Sequence, residues 1–244
     1  IPAIKPDAPP PIIIKSYLFM VNYIALSERM RYNSKIIYNN KYMQVPDIAK
    51  ERSLLLIKPD VLQRQIVGEI LTRFERKGFK IIAMKMLNAT EEQVGEHYFD
   101  DKDYLIEVGE KAKKGAEERG EDISNWDSLE RGKMIRQRNI DYLTCGPIVA
   151  MVLEGFGVIK GVRKILGSTS PAAGDVGTIR DDYSLDTYYL ADTVARSTRT
   201  MVHASDSVEN SEREIAIWFN ESELCDNYET AVEKIFYDKG WGES

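Results

Sequence analysis

The chain has only two histidines, His97 and His203. The second stands in Val202-His203-Ala204-Ser205-Asp206-Ser207, between a short strand expected at 200–202 and Ser207, a good helix cap. A histidine in an apolar setting is more often structural, so composition alone does not select His203. Its neighbourhood does, because the end of a strand presents side chains to a ligand. An imidazole is mostly unprotonated near neutral pH, is nucleophilic, and forms a phosphoramidate that passes its phosphoryl group onward. Glu214 lies on the following helix, where a carboxylate can hydrogen-bond the ring, fix its tautomer and stabilise charge developing during attack. Phosphoryl transfer asks chiefly for positioning and charge neutralisation, and Lys58, Arg163 and Arg180 each fall on a helix or at an element boundary. Each alone reads as an ordinary surface charge. The segments Gly167-Ser168-Thr169-Ser170-Pro171 and Gly177-Thr178-Ile179-Arg180 add hydroxyl and backbone donors of the kind that cradle anions.

Other phosphate and metal chemistries are excluded by pattern. There is no Gly-x-x-x-x-Gly-Lys-Ser/Thr loop, and Gly155, Gly157 and Gly161 miss the dinucleotide spacing. His-Glu-x-x-His and Cys-x-x-Cys patterns are missing too, so no protein metal site is expected, and any metal is Mg2+ carried on nucleotide phosphates with water completing its shell. Two cysteines, Cys145 and Cys225, are too few for a disulfide framework or a four-ligand zinc site, which points to a reducing, cytoplasmic setting. A formal charge of -6 argues against a dedicated nucleic-acid binder, although a local basic pocket for a small anion remains compatible with it. The apolar stretch 12–26 is interrupted by Lys15 and Asn22 and is shorter than the ~20 residues of a membrane-spanning helix, so no membrane association is expected. Lys5 and Lys15 with Ala25-Leu26-Ser27 make only a poor signal-peptide pattern. Residues 1–50 are expected to be a leader or extension, disordered or non-native, with Met43 just ahead of the strongly patterned region.

The elements that must position these groups follow from periodicity. The apolar run 53–57 predicts a buried strand closed by a Lys58-Pro59-Asp60 turn. Val67, Ile70, Leu71 and Phe74 repeat at helical spacing, with Lys77-Gly78 as the stop. Residues 79–87 read as a second strand, and Thr90 with Gln93 as a capping box opening a helix that carries His97 and Tyr98. Residues 147–153 form a third strand, and Val158, Val162, Ile165 and Leu166 a helical stripe ended by Gly167. Beyond the fourth strand, Ile215, Trp218 and Phe219 are expected to face the core. The order predicts an α+β fold with a ferredoxin-like βαββαβ core, appended helices and two insertions, near 99–139 and 181–199. One domain is assigned to residues 51–244. The charged run 111–122 is expected to be the solvated face of a helix or loop.

Five segments, from Glu51-Arg52-Ser53 through Ile57-Lys58-Pro59-Asp60, Arg73-Phe74-Glu75-Arg76-Lys77-Gly78, Gly146-Pro147, Gly177-Thr178-Ile179-Arg180 and Val202-His203-Ala204-Ser205-Asp206-Ser207, closely resemble nucleoside diphosphate kinases, in the order of that family. The resemblance covers about residues 51–228 apart from the two insertions, which look like those of a long-form subgroup. It implies that His203 is a transient phosphohistidine in a ping-pong cycle between nucleoside triphosphates and diphosphates. It further implies that Lys58, Arg163, Thr169, Arg180 and Thr200 bind the nucleotide, that Tyr98 supports the site through its hydroxyl, and that Ser205 and Glu214 orient the histidine. Mg2+ would arrive with the nucleotide, and a homo-oligomer, tetramer or hexamer, would be the assembly. Three positions depart from the pattern: Thr200 replaces the usual Asn, Asp181 replaces the Gly after the Arg, and the Pro-Phe-Phe segment that supplies the base-stacking aromatic is missing. Phe99, Tyr104 and Trp126 are the candidates to replace that aromatic. These departures motivate one alternative, a catalytically weak nucleotide-binding or scaffold relative. A helix-mediated interaction role for the 99–139 insertion is compatible with either.

Overall fold

Five consecutive residues, Ser53 to Ile57, have no solvent exposure, which a strand achieves only when both of its faces are covered. In the computed structural model, which describes residues 50–237, they lie in β1 (Lys50–Ile57). The leader expected over residues 1–50 falls, except for Lys50, outside the described residues. Leu55 and Ile57 point into one apolar cluster with Ile70 and Phe74 of α2 (Val67–Lys77) and Val158, Val162 and Leu166 of α6 (Val158–Leu166). Leu54 and Leu56 point into a second cluster with Val94 of α3 (Glu91–His97), Ile140 and Leu143 of α5 (Ser128–Thr144), and Ile215 and Trp218 of α9 (Val208–Trp218). Each such buried aliphatic side chain contributes about 1.5–3 kcal/mol relative to exposure. The continuous apolar run of β1 is therefore the middle layer of a three-layer stack.

The sheet has the order β2-β3-β1-β4, with β2 at Lys80–Leu87, β3 at Ile148–Phe156 and β4 at Val202–Ala204. All three pairings are antiparallel. Each strand-helix-strand unit is split by a strand of the other, which is the ferredoxin-like arrangement. Gly78 ends α2 in the left-handed region at φ 92°, as the Lys77-Gly78 stop predicts. Among the described residues no helix is long and apolar enough to cross a membrane.

Three local expectations are corrected. The Lys58-Pro59-Asp60 corner does not merely turn; it opens a short helix, α1 (Pro59–Gln63), with Pro at its first turn. Thr90 caps α3 by accepting from the Gln93 amide at 3.1 Å, but the Gln93 side chain donates to the Ile217 carbonyl, so the reciprocal half of the capping box is absent. The fourth strand runs over Val202–Ala204, two residues later than expected, and His203 lies inside it. Its register is set at both ends by the backbone of β1 and the residue after it: Lys58 N–H donates to Met201 O at 2.8 Å and Ser205 N–H to Leu54 O at 3.1 Å.

The first insertion forms, with the start of α5, a tight helical hairpin: α4 (Lys102–Glu118) packs on α5. The two helices meet at glycines. A Cβ on Gly109 would stand 1.8 Å from Ser128 O, and one on Gly132 1.9 Å from Leu105 O. The second insertion carries the end of α7 (Ile179–Tyr183) and α8 (Tyr188–Thr193). Gly132→Ala is expected to force the hairpin apart and to lower unfolding free energy by about 1–3 kcal/mol, measurable by urea denaturation. Unchanged stability would show that the helices do not depend on this approach.

Candidate functional site

His203 is the central residue of β4 and pairs with Leu56 of β1. On this edge strand its side chain lies on the α9 side of the sheet, where Glu214 waits on the second turn. Nε2 of His203 lies 3.2 Å from both carboxylate oxygens of Glu214. An ionised carboxylate only accepts, so Nε2 carries the ring proton and Nδ1 keeps the lone pair. Ser205 is fully buried, and its hydroxyl donates to Glu214 Oε2 at 2.6 Å while accepting from the Leu54 amide at 3.2 Å. Ser205 thus does not face the cavity; it holds the carboxylate that holds the ring. Asp206 begins the turn into α9 and is tied to Asn210, which keeps its carboxyl below the usual range.

The cationic side of the site is built from backbone. Lys58 follows β1 directly, is buried, and donates to Thr200 Oγ1 at 2.9 Å. Burial, and then the charge of Arg180, lowers its ammonium to about 7. Thr200 therefore keeps a hydrogen bond at the position where Asn is usual, directed at the lysine. Arg180 donates through Nε to Thr200 O at 3.0 Å, through Nη1 to Gly167 O at 2.8 Å and through Nη2 to Val202 O at 2.8 Å. Three carbonyls, one after α6 and two at the entry to β4, fix it, and burial, then neighbouring Arg163, brings it down to about 10. Arg163 on α6 and Thr169 in the following loop are exposed and border the same cavity. That cavity has a volume of about 460 Å³ and brings Lys58, Tyr98, Arg163, Thr169, Arg180, Thr200, His203 and Glu214 together. Asp181 is not among the residues that line it.

Of the aromatic candidates, Phe99 and Tyr104 line the cavity and stack edge to face at 5.4 Å, whereas Trp126 is turned away, its indole donating to Gly109 O. Tyr98 caps α3, and burial raises its phenol so that it stays protonated.

Sequence reasoning passed over His97. It is 2% exposed, and its ring stands edge-on to His203 at 4.4 Å between centroids. Trp218 Nε1 donates to its Nδ1 at 3.3 Å. Since indole only donates, Nε2 of His97 carries the proton, and this buried N–H has no protein partner. Burial, then the charges of His203, Arg213 and Lys58, holds His97 well below the ordinary histidine value. Ligand atoms of His97, His203 and Glu214 lie within 4.8 Å of one another. This trio is a poor metal cage, because His97 is protonated at Nε2 and Glu214 already serves His203 and Ser205. The run 111–122 is also more than a solvated face, since Lys111, Ala112, Gly115 and Arg119 line the cavity. Helical period alone carried no signal for this, because the face is charged and the wall it meets comes from a distant segment.

Comparison with known proteins bears directly on this arrangement. A family model described as "Nucleoside diphosphate kinase" matches residues 51–106 and 111–224. The chain is similar to the nucleoside diphosphate kinase of Pyrobaculum aerophilum, 43% identical over 180 residues, covering 72% of this chain and 98% of that protein. It is similar to nucleoside diphosphate kinase A of Canis lupus familiaris at 37% identity, covering 77% of this chain and 97% of that protein. Among solved structures, the P. aerophilum NDP kinase crystal structure superposes with a TM-score of 0.70 at 40% identity, over 72% of this chain and 100% of the other. A transition-state mimic of the Borrelia burgdorferi nucleoside-diphosphate kinase with bound vanadate and ADP gives 0.64 at 28% identity, over 78% and 99%.

The hydrogen-bond chain from Ser205 to Glu214 to His203 predicts one tautomer. Nitrogen-15 NMR of the histidine rings is expected to show His203 as the Nε2–H form in the wild type and as a tautomer mixture in Glu214→Ala. A wild-type Nδ1–H form would contradict the assignment.

Proposed function

The chain belongs to the nucleoside diphosphate kinase family, and we propose that His203 is the residue through which it works. The protein is a phosphotransferase that moves the terminal phosphoryl group of a nucleoside triphosphate to a nucleoside diphosphate by a ping-pong route. One observation carries the assignment of His203: its Nε2 is committed to Glu214, which leaves Nδ1 as the nucleophilic nitrogen, in a cavity that Lys58 and Arg180 also line. Nδ1 attacks the terminal phosphorus of the donor. A nitrogen–phosphorus bond forms, the bond from that phosphorus to the bridging oxygen breaks, and the diphosphate leaves with the bond's electrons. The ring, still protonated at Nε2, becomes cationic, and Glu214 stabilises that charge. A terminal oxygen of a second diphosphate then attacks the same phosphorus, and the ring is restored.

Lys58 supplies positive charge at the phosphates, and Arg163, Arg180 and Thr169 hold their oxygens. Preorganisation of this kind is the main source of rate in phosphoryl transfer. Arg180 retains guanidinium N–H groups beyond the three spent on carbonyls, so its anchoring and a phosphate contact are compatible. Thr200 directs Lys58, Ser205 directs Glu214, and Tyr98 offers a protonated phenol. Phe99 and Tyr104, which line the cavity, are the candidates for stacking a base. The family in general uses a divalent cation with its nucleotide. We assign Mg2+, held by the nucleotide's own phosphates and water, because carboxylates bordering the cavity are few and Glu214 is committed. The bound cation neutralises phosphate charge. Family members act on nucleotides and are generally oligomeric, and a homo-oligomer is the proposed state here, in keeping with Met84 and Met86, 53% and 67% exposed on edge strand β2. The domain proposed is residues 51–244, with the activity in the cytoplasm. The convergence of Lys58, Tyr98, Arg163, Thr169, Arg180, Thr200, His203 and Glu214 on one cavity favours turnover over a catalytically weak binding or scaffold role.

Incubation with γ-labelled ATP is expected to leave an acid-labile, alkali-stable label on the wild type that GDP removes, and no label on His203→Ala. Absence of label where ATP binding is demonstrable would sink the kinase assignment. Glu214→Ala is expected to slow phosphorylation by about 10²–10³-fold, read by quenched flow. The lysine adds a pH signature. With Lys58 at about 7 in the free protein and raised by a bound phosphate, binding takes up a proton above that value. ADP affinity should then be full below pH 7 and fall by up to about tenfold per pH unit above it. Lys58→Arg, whose guanidinium does not titrate in this range, is expected to flatten the calorimetric pH profile, and a profile unchanged in that variant would show that Lys58 is not the titrating group.

A further inference from the structure

The cavity is longer and more basic than a transferable phosphate chain requires. Nine Lys and Arg side chains line it against three Asp and Glu. Tyr104 in the first turn of α4 and Arg119 at its C-cap both border it, a run of ~22 Å at a helical rise of about 1.5 Å per residue. Tyr188 borders it too, with a phenol within electrostatic reach of both Arg180 and Arg119. In the same cavity three guanidiniums converge on the single carboxylate of Asp192. Arg131 Nη2 is 2.7 Å from Oδ1, Arg138 Nη1 is 2.9 Å from the same oxygen, and Arg119 Nη2 is 3.8 Å from Oδ2. Arg119 also reaches Glu121, but Arg131 and Arg138 share Asp192 alone among the acidic groups paired with them in the described residues. Arg131 Nε is buried without a hydrogen-bond partner. Partly desolvated guanidiniums with too few acceptors are costly unless an anion completes them. Their forked donors match a tetrahedral phosphate, which brings three oxygens where Asp192 brings two.

We propose that Arg119, Arg131 and Arg138 form a second phosphate subsite, which takes a phosphate carried beyond the transferable chain, with Asp192 as its internal placeholder. This rests on the kinase reading for the orientation of the nucleotide. The three arginines come from both helices of the hairpin, and Asp192 comes from α8 in the other insertion, so the two insertions build the subsite together. The phosphate belongs either to the ribose of the nucleotide or to a polyphosphate lying along the cavity.

The test measures by calorimetry the binding of ADP, of ADP bearing a 2′-phosphate and of inorganic tripolyphosphate. For a ribose phosphate, the 2′-phosphorylated nucleotide is expected to bind about tenfold more tightly than ADP. That ratio should fall towards one in Arg131→Met and Arg138→Met, and rise in Asp192→Asn, a change a misfolded protein cannot mimic. For a polyphosphate, the 2′-phosphate brings no gain, and tripolyphosphate binding weakens in the two Met variants and tightens in Asp192→Asn. A 2′-phosphorylated nucleotide that binds no more tightly than ADP, together with tripolyphosphate binding that none of the variants alters, would overturn the subsite. Failure of ADP to discharge the labelled phosphoenzyme would instead count against the kinase reading, and the calorimetry, which needs no turnover, still decides the subsite.

Discussion

The short antiparallel ladder between β1 and β4 is the constraint on which the site depends. It sets Leu56 opposite His203 and Ile57 opposite Val202, and its continuation ties Lys58 N–H to Met201 O. One register therefore fixes the nucleophile, the buried lysine and Thr200 at once. A one-residue slip would turn His203 to the opposite face of the sheet and away from Glu214. What prevents the slip is burial. Leu54 and Leu56 fill one core cluster while Leu55 and Ile57 fill the other, so β1 has no face free to exchange.

Polar groups at the site are satisfied mostly by other fixed parts of the protein, which leaves the reacting atoms little freedom. Ser205 spends its hydroxyl on Glu214, Glu214 spends both oxygens on Ser205 and His203, and Arg180 spends three donors on carbonyls. The same burial that orders these groups shifts them. Lys58 is brought to about 7 and Arg180 to about 10, each chiefly by desolvation. An incoming polyphosphate would reverse that penalty by supplying the missing counter-charge, so binding energy goes into restoring charge where the phosphoryl group moves. His97, kept neutral chiefly by burial and accepting from Trp218, adds a second imidazole beside His203 without adding a positive charge.

The insertions change the shape of the site more than the core does. The α4–α5 hairpin is closed at Gly109 and Gly132, where nothing larger fits, and this close approach aligns cavity-lining residues of both helices along one wall. Ion pairs from Arg131 and Arg138 to Asp192 join that wall to the segment between α7 and β4. Two stretches far apart in sequence are thereby joined over one cavity, which is why neither could be understood from its own composition.

The sequence by itself determined the strand-helix order and the split topology it implies, and it named Lys58, Tyr98, Arg163, Thr169, Arg180, Thr200, Ser205, His203 and Glu214 as candidates for the site. Those readings rest on local signals: periodicity in β1 and α2, stop signals such as Gly78, and short motifs whose residues stand close in the chain. Tertiary structure decided what depended on partners from elsewhere. The pull of β1 backbone on Met201 and Ser205 moved β4 onto His203. The Ile217 carbonyl took the Gln93 amide from its capping box. The Gly109 carbonyl turned Trp126 away while Phe99 and Tyr104 stayed on the cavity. His97 gained its meaning from Trp218, and the charged run 111–122 gained an inner face because it lines the cavity together with the second insertion, where Arg119 approaches Asp192. Hydrogen bonds and charges are short-ranged and indifferent to sequence separation, so a lone residue's type shows what it can do, and only the fold shows which partner it meets.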